Sequence, residues 1–462
     1  MFAEKKFVTE HTCEVKGQKI SYRATVENFF LYDREGEKEA SMYTFAYERC
    51  DIERKPQRPV LFAYNGGPGG ASAMINFAAL APERVKVGEA TSLSMTPPYE
   101  VEENTECILD ICDIVTIDPI ETGYSRLLKA EAGAKYFNTE SDCRSFVKII
   151  AKWLDAHERW NSPVYLMGES YGTIRNAMLA GMLSVDLKAG CNYVNLSGII
   201  MLGSAFDHGQ KAYPIDTPIL NFTAVAATYW YHHQSMLPAR DVFLKEADRF
   251  AYEEYLPALA LGRRLREEKR THIKERLTYF TGLDEETLED LNLRVDTYNY
   301  PAYGLRKEGK VLGRYDGRFT MEAPKGSWDD LEEEDMASSG LMSAVQQCFN
   351  SIWKKKLHID LEDAYRPLCF DICADWDFST STAPIKSLAQ AMKRIPNMKL
   401  MLGCGYYDLL TTMGFSQYTL DQFNLPAERV RMEYFETGHM PYLGSKECDA
   451  FGRAVRAFIE WN

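Results

Sequence analysis

One short segment restricts the fold of this chain more than any other: Pro163-Val164-Tyr165-Leu166-Met167-Gly168-Glu169-Ser170-Tyr171-Gly172. An apolar run leads into Gly-x-Ser-x-Gly, and a helix-forming pattern follows over 173–183. That spacing suits a serine pushed out of a very tight strand-to-helix turn, where a side chain on either flank would collide. The other reading of the same residues is a serine that caps an ordinary helix after a strand.

The surrounding pattern favours the tight turn. Residues 12–15 and 19–26 flank Lys16-Gly17-Gln18 and predict a hairpin, with further strands over 41–47 and 60–64. After these the chain alternates: strand 111–117, helix 141–160, strand 164–167, helix, strand 196–202. Alternation of this kind predicts an α/β fold with a mostly parallel central sheet covered by helices. Residues 206–375 break the rhythm with long charged helical patterns over 240–260 and 263–280, then a Tyr- and Gly-rich stretch over 298–319. They predict an inserted, mainly helical cap. Alternation resumes with helix 385–394, strands 399–402 and 429–435, and a closing helix over 446–461. The expected organisation is therefore 1–205 as the first part of the core with its β-rich start, 206–375 as the cap, and 376–462 as the rest of the core. A chain of 462 residues exceeds one small core, which agrees with an insertion.

Charge and composition exclude several roles. With 53 Lys and Arg against 67 Asp and Glu, the formal charge of −14 disfavours nucleic acid as a partner. No run of 18 or more apolar residues predicts a membrane span, and the first ten residues lack the apolar stretch of a secretory signal. Eleven cysteines, an odd number scattered from Cys13 to Cys448, suit reduced thiols. The expectation is a cytoplasmic protein without membrane contact. An export form with its signal removed stays open, as does homo-oligomerisation.

A serine hydroxyl near neutral pH needs a base, and the base needs a carboxylate to orient it. In hydrolases built on such a turn the chain order is Ser, then Asp or Glu, then His. Among the histidines downstream, His232, His233, His272 and His358 lack the placement of His439, which follows a core strand in Phe435-Glu436-Thr437-Gly438-His439-Met440. Asp408 likewise follows a strand, in Gly403-Cys404-Gly405-Tyr406-Tyr407-Asp408. Both would reach the sheet edge where Ser170 sits. An Asx-turn aspartate and a solvated loop histidine are the alternatives. Tyr64-Asn65-Gly66-Gly67-Pro68-Gly69-Gly70 follows the strand ending near Ala63. A backbone N–H from this glycine loop, paired with that of Tyr171, would hold a tetrahedral oxyanion. It does not meet the dinucleotide register, and no cofactor is expected.

Together these residues resemble the serine carboxypeptidase family, the S10-type peptidases. They are Asn65-Gly66-Gly67-Pro68-Gly69, Gly168-Glu169-Ser170-Tyr171-Gly172, the Asp408 loop and Gly438-His439-Met440. Asp118-Pro119-Ile120-Glu121-Thr122-Gly123-Tyr124-Ser125 is similar to a further signature of that family. The resemblance implies an α/β-hydrolase fold and a serine-type carboxypeptidase acting through an acyl-enzyme. Its implied triad is Ser170, His439 and Asp408, with the Gly67 and Tyr171 amides as oxyanion hole. It also implies that Asn65, Gly66 and Glu169 hold the carboxylate of a peptide with a free C-terminus, Glu169 being protonated to do so. An esterase or acyltransferase on the same triad, or a catalytically inert binding protein, are the competing expectations.

The departures are specific. Family members that recognise a free C-terminus commonly carry a second glutamate in the helix after the glycine loop, and counting from Asn65 that place is Ala79. Glu121 stands where glycine is more usual, either as a substitute carboxylate or as an exposed loop residue. Residues 304–311 nearly spell a phosphate loop but end in Val311 without a preceding strand. Cys369, Asp371, Cys373 and Asp375 lack zinc spacing and read as buried cysteines with no metal. The cluster Tyr229-Trp230-Tyr231-His232-His233 belongs either to a substrate cleft or to the core of the cap.

Overall fold

The computed structural model describes residues 3–53, 57–94, 96–129, 132–184, 194–206, 216–323, 335–380 and 384–461. The chain begins with the predicted hairpin, β1 (Lys6–Val15) and β2 (Gln18–Tyr32), in which Val15 faces Gln18. The turn is shorter than the sequence suggests. Lys16 and Gly17 alone make it, with φ of 52° and 77°, the mirror-image turn that matches strand twist. β3 (Lys38–Arg49) extends the meander antiparallel to β2.

The core sheet then turns parallel. β4 (Val60–Tyr64), β5 (Asp113–Ile117), β6 (Val164–Glu169), β7 (Leu196–Leu202), β8 (Lys399–Gly405) and β9 (Val430–Phe435) complete a ten-stranded sheet. The spatial order is β1-β2-β3-β5-β4-β6-β7-β8-β9, with short strand Arg126–Leu127 beside β3. Every residue of β4, β5 and β6 is buried, as strands covered on both faces must be.

Helices α1 (Thr139–Ala156), α2 (Tyr171–Ser184) and α7 (Pro384–Arg394) cover one face, and α8 (Ser445–Ile459) covers the other. The Asn138 side chain caps α1 by accepting the Ser141 N–H at 3.0 Å. Trp153 of α1 is fully buried and meets Phe62 of β4 edge-on at 5.4 Å. Truncating such a ring costs about 3–5 kcal/mol. The contact therefore fixes the helix that carries Asp142 beneath the site.

The region between β7 and α7 holds α3 (Asp216–His233), α4 (Arg240–Phe250), α5 (Glu267–Thr281) and α6 (Met336–Cys348), with a short hairpin of Lys310–Leu312 and Thr320–Glu322. The pattern over 240–260 is not one helix. α4 passes into a π turn at Ala251–Tyr255 before Leu256–Leu261, because Pro257 has no N–H for an α-helical bond back to Glu253. α5 starts later than expected, after the short turn Gly262–Arg264 and an extended Leu265. The end of this region rejoins the core: Gly70 bridges to Leu368, and Gly123 to Arg366. No helix among the described residues is long and apolar enough to cross a membrane.

Candidate active site

The predicted turn is present, and its backbone explains both glycines around Ser170. β6 ends at Glu169 and α2 begins at Tyr171, so Ser170 must reverse the chain alone, at φ 56°. A Cβ on Gly168 would lie 2.2 Å from the Gly172 carbonyl oxygen. One on Gly66 would lie 2.6 Å from both the Glu169 oxygen and the Tyr171 nitrogen, so the glycine loop rests directly on the turn. The Ser170 N–H donates to Leu202 O at the end of β7 at 2.8 Å. Gly203, the next residue, faces the His439 ring so closely that an added Cβ would lie 3.0 Å from it. Serine and imidazole thus border the same residue pair.

Asp408 and His439 meet because their loops are stitched together. Tyr406 N donates to Phe435 O and Tyr407 N to Thr437 O, both at 3.0 Å. His439 Nδ1 lies 3.0 Å from Asp408 Oδ2, with both side chains buried. Asp408 Oδ1 accepts the Leu410 and Thr411 amides at 2.7 and 2.9 Å, and Oδ2 accepts the Thr411 hydroxyl at 2.8 Å. That hydroxyl also sits 2.9 Å from His439 Nδ1. Because the carboxylate can only accept, Nδ1 carries the proton and Nε2 keeps a lone pair, as a base requires. Burial presses the imidazole toward its neutral form. The Asp408 carboxylate outweighs that, with Glu169 and Asp335 adding to it, and holds the pKa above its ordinary value.

The glycine loop places Gly67 at φ 109°, beside the turn. Tyr171 opens α2, so its N–H has no carbonyl inside the helix to meet. Beneath them lies a buried ion pair. Arg175 Nε donates to Asp142 Oδ2 at 2.8 Å, the Tyr171 hydroxyl donates to the same oxygen at 3.1 Å, and Arg175 Nη1 donates to Asn65 O at 3.0 Å. One guanidinium therefore ties α1, α2 and the glycine loop together.

Glu169 is buried, and Asn65 Nδ2 donates to its Oε1 at 2.8 Å. Asn65 Oδ1 in turn accepts the Ile75 N–H at 2.9 Å. Burial raises the Glu169 pKa, against the lowering effects of His439, Tyr442 and Asn65. Ala79 lies in the buried π turn Asn76–Leu80, its carbonyl accepting Asn104 Nδ2 at 2.7 Å. Glu121 is no substitute carboxylate. Its two oxygens accept Leu127 N at 2.6 Å and Arg366 Nη1 at 2.7 Å, which pins a loop. In the same segment burial pushes the Asp118 carboxyl up to about 7, while it accepts Ser72 N at 2.9 Å.

Several supporting residues escaped the sequence reading. Tyr315 O accepts the His439 N–H at 2.5 Å, and the Tyr315 ring stands perpendicular to the imidazole at 5.2 Å. Asp316 accepts Gly438 N at 2.9 Å and is held by Arg318 at 2.7 Å. Asp335 caps α6 with Oδ1 and accepts Arg314 and Tyr315 amides with Oδ2 at 2.7 and 2.9 Å. An aspartate ahead of a helix signals a cap, but no local signal announces its second role.

One further expectation is corrected. Cys369 is half-buried and Cys373 exposed, because they lie on the short surface helix Phe370–Ala374, next to the glycine loop, where Cys369 N donates to Gly69 O at 2.9 Å. Tyr229 and His233 line a cavity of about 450 Å³ within the inserted region, bordered by Asp284 and Arg306, and no triad candidate lines it. His232 Nε2 donates to Gly317 O at 2.8 Å. His208 lies outside the described residues. The described cysteines are free thiols.

Comparison with known proteins accords with this geometry. The family model for serine carboxypeptidases, peptidase S10, matches residues 30–448. No curated protein matches the sequence. Among solved structures, the prohormone-processing carboxypeptidase Kex1(Δ)p from Saccharomyces cerevisiae is similar, with a TM-score of 0.57 and 13% identity over 94% of this chain and 91% of that one. A proline iminopeptidase from Mycobacterium smegmatis gives a TM-score of 0.37 and 12% identity over 95% and 97%. A thermostable carboxyl esterase from Bacillus coagulans gives 0.38 and 10% over 94% and 97%. At 13% identity the likeness to the yeast carboxypeptidase structure is one of fold.

Proposed function

The chain belongs to the serine carboxypeptidase family, hydrolases that release C-terminal residues from peptides through an acyl-enzyme, and we propose Ser170 as its nucleophile, His439 as base and Asp408 as the orienting carboxylate. The observation that carries this assignment is the Asp408–His439 contact of 3.0 Å beside the positive-φ turn at Ser170. Ser170 Oγ attacks the scissile carbonyl carbon while its proton passes to His439 Nε2. The Gly67 and Tyr171 N–H groups receive the oxyanion. As the intermediate collapses, the same proton goes to the leaving amine, and water then repeats the sequence on the ester.

The substrate in this reading is a peptide with a free C-terminus, its carboxylate held by Asn65, Gly66 and Glu169. Residues 206–375 act as a cap over the site, a role supported by the grip of Tyr315 and Asp316 on the His439 loop. The free thiols fit a reducing, cytoplasmic setting. One observation favours an esterase or acyltransferase instead: Ala79 offers no second carboxyl. Organophosphonate labelling tests the nucleophile. Stoichiometric labelling that vanishes in Ser170→Ala is expected, and a labelled Ser170→Ala protein would reject the assignment.

A further inference from the structure

The carboxylate of Glu169 is only half satisfied. Oε1 has the Asn65 amide, but among the described residues Oε2 has no hydrogen-bond partner, although Glu169 is only 5% exposed. A buried polar atom in that condition is unfavourable unless a ligand or partner supplies the bond. The Tyr442 hydroxyl, on a side chain 1% exposed, is a second such atom among the described residues: it lies close enough to Glu169 and Asn65 to act on their charge, yet makes no well-formed hydrogen bond to either. Tyr442 follows His439 in the same loop, so the residue that would supply the base also delivers this phenol to the carboxylate side of Ser170.

Its setting links it to the missing glutamate. Tyr442 packs in one apolar cluster with Ala79, Cys448 and Phe451, the Phe451 ring at 5.8 Å. Cys448 lies beside the phenol, and its Sγ is 3.4 Å from Ala78 O and 3.9 Å from Ala79 O. Cys448 thus borders both the backbone at Ala79 and the Tyr442 phenol.

We propose that Tyr442 is a specificity-determining residue, whose hydroxyl donates to the C-terminal carboxylate of the peptide alongside Glu169 and so supplies the hydrogen bond a second carboxyl would otherwise provide. The proposal rests on the carboxypeptidase reading above. The chemistry differs from that of a carboxyl pair in one respect. Two carboxyls share a proton that is lost as pH rises, whereas a buried phenol keeps its own, since burial pushes its pKa well above the ordinary value. The groups facing Glu169 are His439 and Tyr442 from the loop after β9, Asn65 from the glycine loop, Asp408 from the loop after β8, and Tyr315 from the inserted region. Tyr442 faces Glu169, Asn65 and Cys448. Grip on a free C-terminus therefore persists above the pH at which Glu169 ionises.

The test compares kcat/KM for a blocked dipeptide free acid and its amide at pH 5 and pH 8, in wild type and in Tyr442→Phe, with thermal melting and phosphonate labelling to verify folding. Wild type should prefer the acid at both pH values. Tyr442→Phe should cut the acid-to-amide ratio about tenfold, through KM, as loss of a hydrogen bond to a charged group does. The cut should be deeper at pH 8, where protonated Glu169 no longer serves as a second donor. An unchanged ratio in Tyr442→Phe, or a wild-type preference that disappears by pH 8, overturns the role of Tyr442 while leaving the carboxypeptidase reading intact. An equal fall on both substrates marks a structural tyrosine and overturns it too. A wild type with no preference even at pH 5 removes the underlying reading, and the proposal with it.

Discussion

Two buried carboxylates stand near Ser170, Glu169 beside it in the chain and Asp408 behind His439, and they are treated in opposite ways. Asp408 is surrounded: two amides, one hydroxyl and the imidazole fill its oxygens. Glu169 accepts from Asn65 with one oxygen and, among the described residues, makes no well-formed hydrogen bond with the other, and burial raises its pKa. A carboxylate that must stay charged and still is given all its hydrogen bonds in advance, because an under-satisfied charge in the interior would move or take up a proton. In the reading proposed above, a carboxyl that receives the substrate's carboxylate is left short of partners, so that binding itself would complete the set. On that reading the contrast would separate the two tasks of the site, turning over the peptide bond and choosing which peptide to cut.

The largest expected effect lies on the satisfied side. Asp408→Asn should lower kcat about 10,000-fold for peptides and esters alike, since an amide no longer enforces the tautomer that leaves Nε2 free. In wild type, ester kcat/KM should rise with pH through a midpoint above the ordinary histidine value of about 6.5, because the neutral imidazole is the active form and its pKa is raised. In Asp408→Asn that midpoint should fall, the charge that lifts it being gone. On the unsatisfied side, Glu169→Gln stays neutral at every pH and still donates. The KM of a free-acid peptide, rising with pH in wild type as a carboxyl with a raised pKa ionises, should become flat with pH in this variant. If Asp408→Asn and Glu169→Gln disturb the same parameter for the same substrates, the division between the two carboxylates collapses. The smallest effect belongs to Thr411→Val, which deletes the hydroxyl that touches Asp408 and His439 together. Steady-state kinetics should show kcat down about tenfold with KM for esters little moved, one charged hydrogen bond being lost.

The legible part of the site was the part whose requirements are local. Gly168 answers to a clash with the Gly172 carbonyl four residues on, so that half of the pattern carries its own reason, whereas a Cβ on Gly172 would crowd the Tyr64 and Asn65 carbonyls at 3.2 and 3.4 Å, a distant loop. Asp408 and His439 could be nominated because each follows a strand of a parallel sheet, and such strand ends gather at one edge. Thr411, Tyr315, Asp316, Asp335 and Tyr442 could not. Each acts by reaching a loop distant in sequence: Tyr315 O meets His439 N across the inserted region, and Tyr442 meets Glu169 across β6 and β9. The same holds for Arg175 and Asp142, which the motifs do not single out and which form a buried pair under the glycine loop. In the inserted region Pro257 was visible in the chain, but whether it would kink, cap or end a helix depended on what packed around it.

By itself, then, the sequence determined the order of strands and helices and the strained turn that exposes Ser170, because those properties follow from hydrophobic period and from glycine where a Cβ has no room, while the family was legible only as a resemblance of motifs. Tertiary structure alone decided the electrostatic state of the site. Whether a carboxylate is filled with donors, like Asp408, or left with an open oxygen, like Glu169, depends on which atoms the fold brings within about 3 Å of it, and distance in space is not written in distance along the chain.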